Sequence, residues 1–262
     1  RLFHLAQQFD LDIHPVALRK VTRKLGLIDT KLRKEPQANA LFMEILTSKK
    51  TPDIALMRMN EAGVMGRFIP DFGRVVAQTQ HDMYHVYTVD EHTIRAIGIL
   101  SRIERGELKE DHPLSTTIFS KISSRRVLYL AVLLHDTAKG RGGDHSILGA
   151  EIAEKLGPRL GLDVAETKTV SWLVRHHLLM SHTAFRRDIN ESKTVNDFVE
   201  VVQTLERLRL LLILTVVDIR AVGPTVWNGW KAALLRELYY NAEEALLGDF
   251  SLVKREDRIA AA

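Results

Sequence analysis

Four ionisable side chains fall on stretches whose patterning places them inside the protein: His92, His135, Asp136 and Asp218. An imidazole or carboxylate that has left water needs a compensating charge, several hydrogen bonds or a metal ion. Asp218 is the clearest case, because it stands inside LLLILTVVDIRAV. For Asp218 alone, an Arg or Lys partner explains burial as well as a metal does. A lone His on an apolar face is more often a hydrogen-bonded core residue than a ligand. Two histidines and two aspartates drawn from three separate helices are harder to explain as structure. Two imidazoles and two carboxylates suit Mn, Mg, Fe, Co or Zn, and leave coordination positions open for water and substrate. Asp136 would both bind such an ion and orient or deprotonate a water. Lys139, one helical turn after His135, is placed to neutralise phosphoryl charge, against the simpler reading of a solvated helix-end lysine.

The elements that must position these groups read as helices nearly throughout. The central stretch is Val127 to His145, VLYLAVLLHDTAKGRGGDH. It begins as an apolar helix from about Arg125 and ends in a glycine-rich turn, after which Asp144 caps a helix through Leu156. Adjacent helical residues point about 100° apart, so His135 and Asp136 straddle one ion only where helices meet. Thr88 to Glu91 has capping-box spacing, which starts a helix carrying Val89, His92, Ala96, Ile99 and Ile103 on one face. A helix from about Asp163 to Met180 carries His177 on its buried stripe, and Ser181 to Ser192 reads as an exit loop. Thr194 to Leu205 leads into the Asp218 helix, which Gly223-Pro224 ends. A last amphipathic helix runs to about Leu247. Upstream, His14-Pro15, Pro36 and Thr51-Pro52 open helices, and GVMGRFIPDFG reads as turns. No period-two strand pattern is found.

With 45% hydrophobic and 27% charged residues, the 262-residue chain is an ordinary globular one with ample length for a core. The longest apolar run, Leu210 to Val217, falls short of the ~20 residues of a membrane span. The absence of cysteine excludes disulfides and cysteine-ligated zinc, and fits a reducing cytoplasm. Net charge is +4, but the basic residues are scattered, so neither nucleic acid nor membrane is an expected partner. The chain begins with Arg1, which suggests a piece of something longer.

The order His92, His135-Asp136, Asp218 resembles the HD superfamily of metal-dependent phosphohydrolases, an all-α fold. The strings VDEHTIRAI, LLHDTAKGRGGDHSILGA, WLVRHHLLMS, RRDI, LTVVDIRAV and TVWNGWKAALLRELY together resemble the bifunctional PII uridylyltransferase/uridylyl-removing family. That resemblance runs along essentially the whole chain, most specifically from about Tyr84 to Tyr240. It implies a helical connector over residues 1–80, following an absent nucleotidyltransferase domain. An HD helical bundle over 81–250 comes next, then a frayed tail or linker over 251–262 toward absent ACT domains. The implied activity is metal-dependent removal of UMP from a uridylylated tyrosine of the PII signalling protein, with Mn or Mg as first choice of ion. Glutamine is the implied effector, through the ACT domains. No glycine-rich loop followed by paired aspartates is present, so uridylyl transfer is not expected. His145, His177 and His176 are implied as ligands of a second ion or of phosphate, with His177 the better of its pair. Arg186 and Arg187 would hold the nucleotide phosphate or contact PII, although exposed arginines are by default solvated. Trp227 and Trp230 read as packing residues, and His81 and His85 as structural. Two readings compete: hydrolysis of a free or signalling nucleotide at the same metal site, and a non-catalytic helical module that binds PII.

Overall fold

A computed structural model describes residues 1–79 and 86–260, with side chains through residue 248. His81 and His85 lie outside the described residues. Every regular element described is helical, and no strand occurs among the described residues. Proline at the first turn opens α2 (Pro15–Arg23), α4 (Pro36–Leu46), α5 (Pro52–Glu61), α7 (Pro70–Gly73) and α9 (Pro113–Phe119). Its missing N–H costs nothing there, since the first amides of a helix have no partner within it.

Three helices form the centre: α8 (Val89–Glu104), α10 (Arg125–Leu134) and α15 (Leu205–Val222). Each residue from Val127 to Leu134 is 2% exposed or less. A helix apolar on every side is stable only when wrapped by others. Here α8 crosses α10 and α15, while α12 (Val164–Arg175) lies between α10 and α11 (His145–Arg159). The last helix, α16 (Gly229–Ala260), packs along α13 (Leu179–Arg186), α14 (Ser192–Val202) and α15. No described helix is long and apolar enough to cross a membrane.

The N-terminal helices share this core, which runs unbroken from Phe3 to Leu246. These include α1 (Leu2–Gln8), α3 (Thr30–Lys34) and α6 (Val64–Phe68). Helix α5 rests on α8 so closely that a Cβ at Gly98 would lie 2.7 Å from Asp53 Oδ2. Arg125 ties three helices together, gripping Glu104 of α8 with two bonds of 2.7 Å and donating to the Thr47 carbonyl after α4 at 2.7 Å.

Several expected boundaries move. GVMGRFIPDFG folds as α6 and α7 rather than as turns, because its glycines serve close packing: a Cβ on Gly66 would stand 2.8 Å from the Gly73 Cα. Half of the expected exit loop is α13, and the preceding helix stops at Arg175. Thr88 does precede α8, but its side chain makes no capping hydrogen bond. The last helix continues past Leu247 to Ala260.

Candidate metal centre

Helix α10 ends at Leu134, and His135 stands at its C-cap. Its Nδ1 lies 2.8 Å from the Val132 carbonyl. His177, just beyond α12, repeats this with the Val174 carbonyl, also at 2.8 Å. A carbonyl only accepts, so Nδ1 carries the proton in both rings and Nε2 points into the site.

Two groups of possible ligand atoms result: His92, His135 and Asp218, and Asp136, His145 and His177. In the first, His92 Nε2 lies 3.3 Å from His135 Nε2 and 3.0 Å from Asp218 Oδ1, and His135 Nε2 lies 3.4 Å from that same oxygen. Donors about 2.1 Å from one ion, at angles of about 90–110°, stand roughly 3.0–3.4 Å apart. The first group therefore has the spacing of a shared coordination sphere. Asp136 faces both groups. Its Oδ2 is 3.4 Å from His135 Nε2 and 3.8 Å from His92 Nε2, while its Oδ1 is 3.7 Å from both His145 and His177 Nε2. Lys139 Nζ sits 2.7 Å from Asp136 Oδ2. His145 Nε2 is buried and makes no hydrogen bond among the described residues, which suits a ligand atom.

The electrostatics follow from these distances. Burial disfavours the His135 imidazolium, but Asp136 and Asp218 outweigh it and raise the group to about 10. Burial likewise disfavours the two carboxylates, yet their histidine partners, with Lys139 beside Asp136, hold both well below the usual range. Burial, with the neighbouring His135 charge, lowers His177 to about 4, so its ring is neutral and its lone pair is available near neutral pH.

The GRGG turn brings His145 in. Gly140, Gly142 and Gly143 all have φ near +75°, where a side chain would be strained. Asp144 then caps α11 by accepting from the Ser146 amide at 2.8 Å. His176 joins neither group. Its ring instead lies against Trp172, with centroids 5.0 Å apart. Arg187 pairs with Asp197 at 2.9 Å, whereas Arg186 lines a cleft of about 290 Å³ with Asp136, Lys139, His145, His177 and Asp218. Ser181, His182, Phe185 and Lys231 also line it, and were not expected to. For Ser181 and Phe185 the signal was their four-residue spacing, which marks one face once the segment is seen as helical.

Comparison with known proteins places the family. The family model described as HD domain matches residues 89–221, and the one described as Uridylyltransferase GlnD third domain matches residues 1–68. All seven residues from His92 to Asp218 that form or adjoin the two groups lie inside the HD match. The chain is 66% identical over 262 residues to the bifunctional uridylyltransferase/uridylyl-removing enzyme of Azospirillum brasilense. Identity to the enzymes of the same name is 62% over 260 residues in Novosphingobium aromaticivorans and 61% over 259 in Rhodospirillum rubrum. These alignments cover 99–100% of this chain, which spans 28% of the length of each relative. With its two candidate ligand groups set where α8, α10, α12 and α15 converge, the chain belongs to the HD domain family, in the form carried by bifunctional uridylyltransferase/uridylyl-removing enzymes.

Proposed function

We propose that this chain is a metal-dependent phosphodiester hydrolase that removes UMP from a uridylylated tyrosine of the PII signalling protein, with residues 1–80 as connector and 81–250 as catalytic unit. The carrying observation is the Asp136 carboxylate, which faces one ligand group with each oxygen and holds Lys139 at 2.7 Å. The names of the relatives, which include removal of a uridylyl group, supply the substrate class. His92, His135 and Asp218, with Asp136 Oδ2 beside them, would hold the first divalent ion. Mn or Mg is the preferred choice, since half of this donor set is carboxylate. His145, His177 and Asp136 Oδ1 would take a second ion or the phosphate itself. A bound divalent ion would acidify water and stabilise phosphoryl charge by several kcal/mol.

The residues of the chain do the rest. Asp136 orients the attacking water toward phosphorus, and Lys139 offsets negative charge on the phosphoryl oxygens. Water adds at phosphorus as the bond to the tyrosine oxygen breaks. The phenolate, with a pKa of about 10, is a fair leaving group and takes up the proton that the water releases. Arg186, at the cleft wall, adds charge complementary to the nucleotide phosphate.

The test is to incubate the chain with uridylylated PII and Mn²⁺ and to measure UMP release. Release that is lost in His135→Ala, with the fold retained, is the expected result. Hydrolysis of free nucleotides without release from PII would move the substrate to the second reading. Binding of PII with no turnover under any divalent ion would leave a binding module.

A further inference from the structure

The cleft does not end at the ligand groups. Ser181, His182, Phe185 and Arg186 extend its wall along α13, and Phe185 lies on the same helical face as Ser181. The Phe185 ring is not an isolated apolar spot. Trp230, at the start of α16, stacks on it with centroids 6.0 Å apart and planes 27° from parallel. The Lys231 ammonium stands 6.0 Å from the Phe185 centroid and is held there by a 2.7 Å bond to the Val226 carbonyl. Trp230 is 61% exposed, which overturns its reading as a packing residue. An indole left in water contributes little to the core. Stacked aromatic rings beside cations, opening from a phosphate-handling cleft, are a surface on which a nucleobase docks sequence-tolerantly.

We propose that Phe185 and Trp230 form the base-recognising end of this cleft. The base of a nucleoside 5′-phosphate ester stacks against this pair while its phosphorus lies over the Asp136–Lys139 ion pair. Arg186 and Lys231 provide positive charge along the path between the two ends. The inference rests on the phosphodiesterase reading above, and it adds a site: the nucleoside half of the substrate is held by the α13–α16 seam, which leaves the tyrosine-bearing half to the opposite side of the cleft. Stacking tolerates any base, so this end selects for a nucleoside over a plain phosphate ester without by itself choosing uracil.

The test compares UMP with ribose 5-phosphate, which carries the same sugar and phosphate but no base. Both are titrated calorimetrically into the chain with Mn²⁺ present. The intact protein should bind UMP about 5- to 150-fold more tightly, the range that stacking of one base supports. Trp230→Ala, and Phe185→Leu as a variant that keeps apolar bulk, should bring that ratio toward one, with ribose 5-phosphate as the internal reference. A ratio near one in the intact protein, a ratio unchanged in both variants, or no binding of either compound overturns the base platform. The hydrolase reading fails separately, by absence of UMP release from uridylylated PII while the preference for UMP persists.

Discussion

Arg141 Nη1 donates to Asp71 Oδ1 at 2.8 Å, and its Nη2 donates to the Asp71 backbone carbonyl at 2.8 Å. This pair joins the glycine turn after α10 to α7 of the N-terminal helices. A turn with three glycines at positive φ is intrinsically mobile, and the fork of one guanidinium on one residue restrains it. Because that turn delivers His145 to Asp136, the N-terminal helices take part in shaping the second ligand group.

Arg141→Gln should therefore loosen the second group and spare the first. We expect metal affinity at the weaker site to fall by about tenfold, the scale typical of residues that support ligands. Asp71 is 41% exposed, so the stability cost should stay at about 1 kcal/mol or less. Metal titration alongside thermal melting separates the two effects. Equal weakening of both sites would show that the turn is not specifically braced.

Asp218→Asn keeps shape and removes the carboxylate that stands 3.0 Å from His92 and 3.4 Å from His135. Loss of a ligand worth several kcal/mol of charge stabilisation corresponds to a rate fall of at least about 100-fold. UMP release and metal content should drop together while the circular dichroism spectrum holds. Full activity with intact metal content would remove Asp218 from the first group.

That His92, His135 and Asp218 come together was readable from the chain, because they are polar intrusions into apolar helical stripes. Asp218 in LLLILTVVDIRAV needs no tertiary knowledge to look out of place. Asp90 was harder to place. It is 4% exposed and held by Asn60 Nδ2 at 2.7 Å and the Ala77 amide at 3.1 Å, partners far away in the chain. The choice between His176 and His177 turned on where α12 stops, and the buried-face reading of His177 agrees with its position. Of the cleft wall beyond Ser181 only Arg186 stands out in the sequence, because α13 opens after Leu178 with no side-chain cap to announce it. The glycine turn read correctly as a reversal, but its direction depends on Arg141 meeting Asp71, which no local pattern encodes.

Ion binding should require a neutral His135, with its Nε2 proton gone and its Nδ1 proton kept on the Val132 carbonyl. Its imidazolium is stabilised to about 10 by Asp136 and Asp218, against the cost of burial. Coordination through Nε2 needs that proton gone, so apparent metal affinity should rise with pH between about 7 and 10, by up to tenfold for each step of one in pH. About one proton should be released per ion at neutral pH, measurable by calorimetry in buffers of different ionisation enthalpy. The ion-free fold behaves oppositely. A folded value raised above the unfolded one near 6.5 gives stability that is complete below about 6.5 and is lost as pH rises through 10. The ion-free protein should therefore melt at a lower temperature at pH 10 than at pH 7. Proton release near zero at pH 7.5 would rule out His135 as the titrating ligand.

His112 offers a separate acid sensor and belongs to neither ligand group. It is 3% exposed, packs edge-on against Trp227 with centroids 4.9 Å apart, and is lowered to about 4 by burial and then by the Arg220 charge. The unfolded chain takes up its proton near 6.5, well before the folded chain does. Stability from this group is thus intact above about 6.5 and is lost as pH falls toward 4. Its share should be on the order of 1–3 kcal/mol, since each tenfold difference in proton affinity between the unfolded and folded chain is worth about 1.4 kcal/mol. His112→Phe keeps a ring against Trp227 and has nothing to protonate, so its melting temperature should fall less between pH 7 and pH 4.5 than that of the unaltered chain. Parallel melting curves for the two proteins over that range would show that His112 is already protonated when folded.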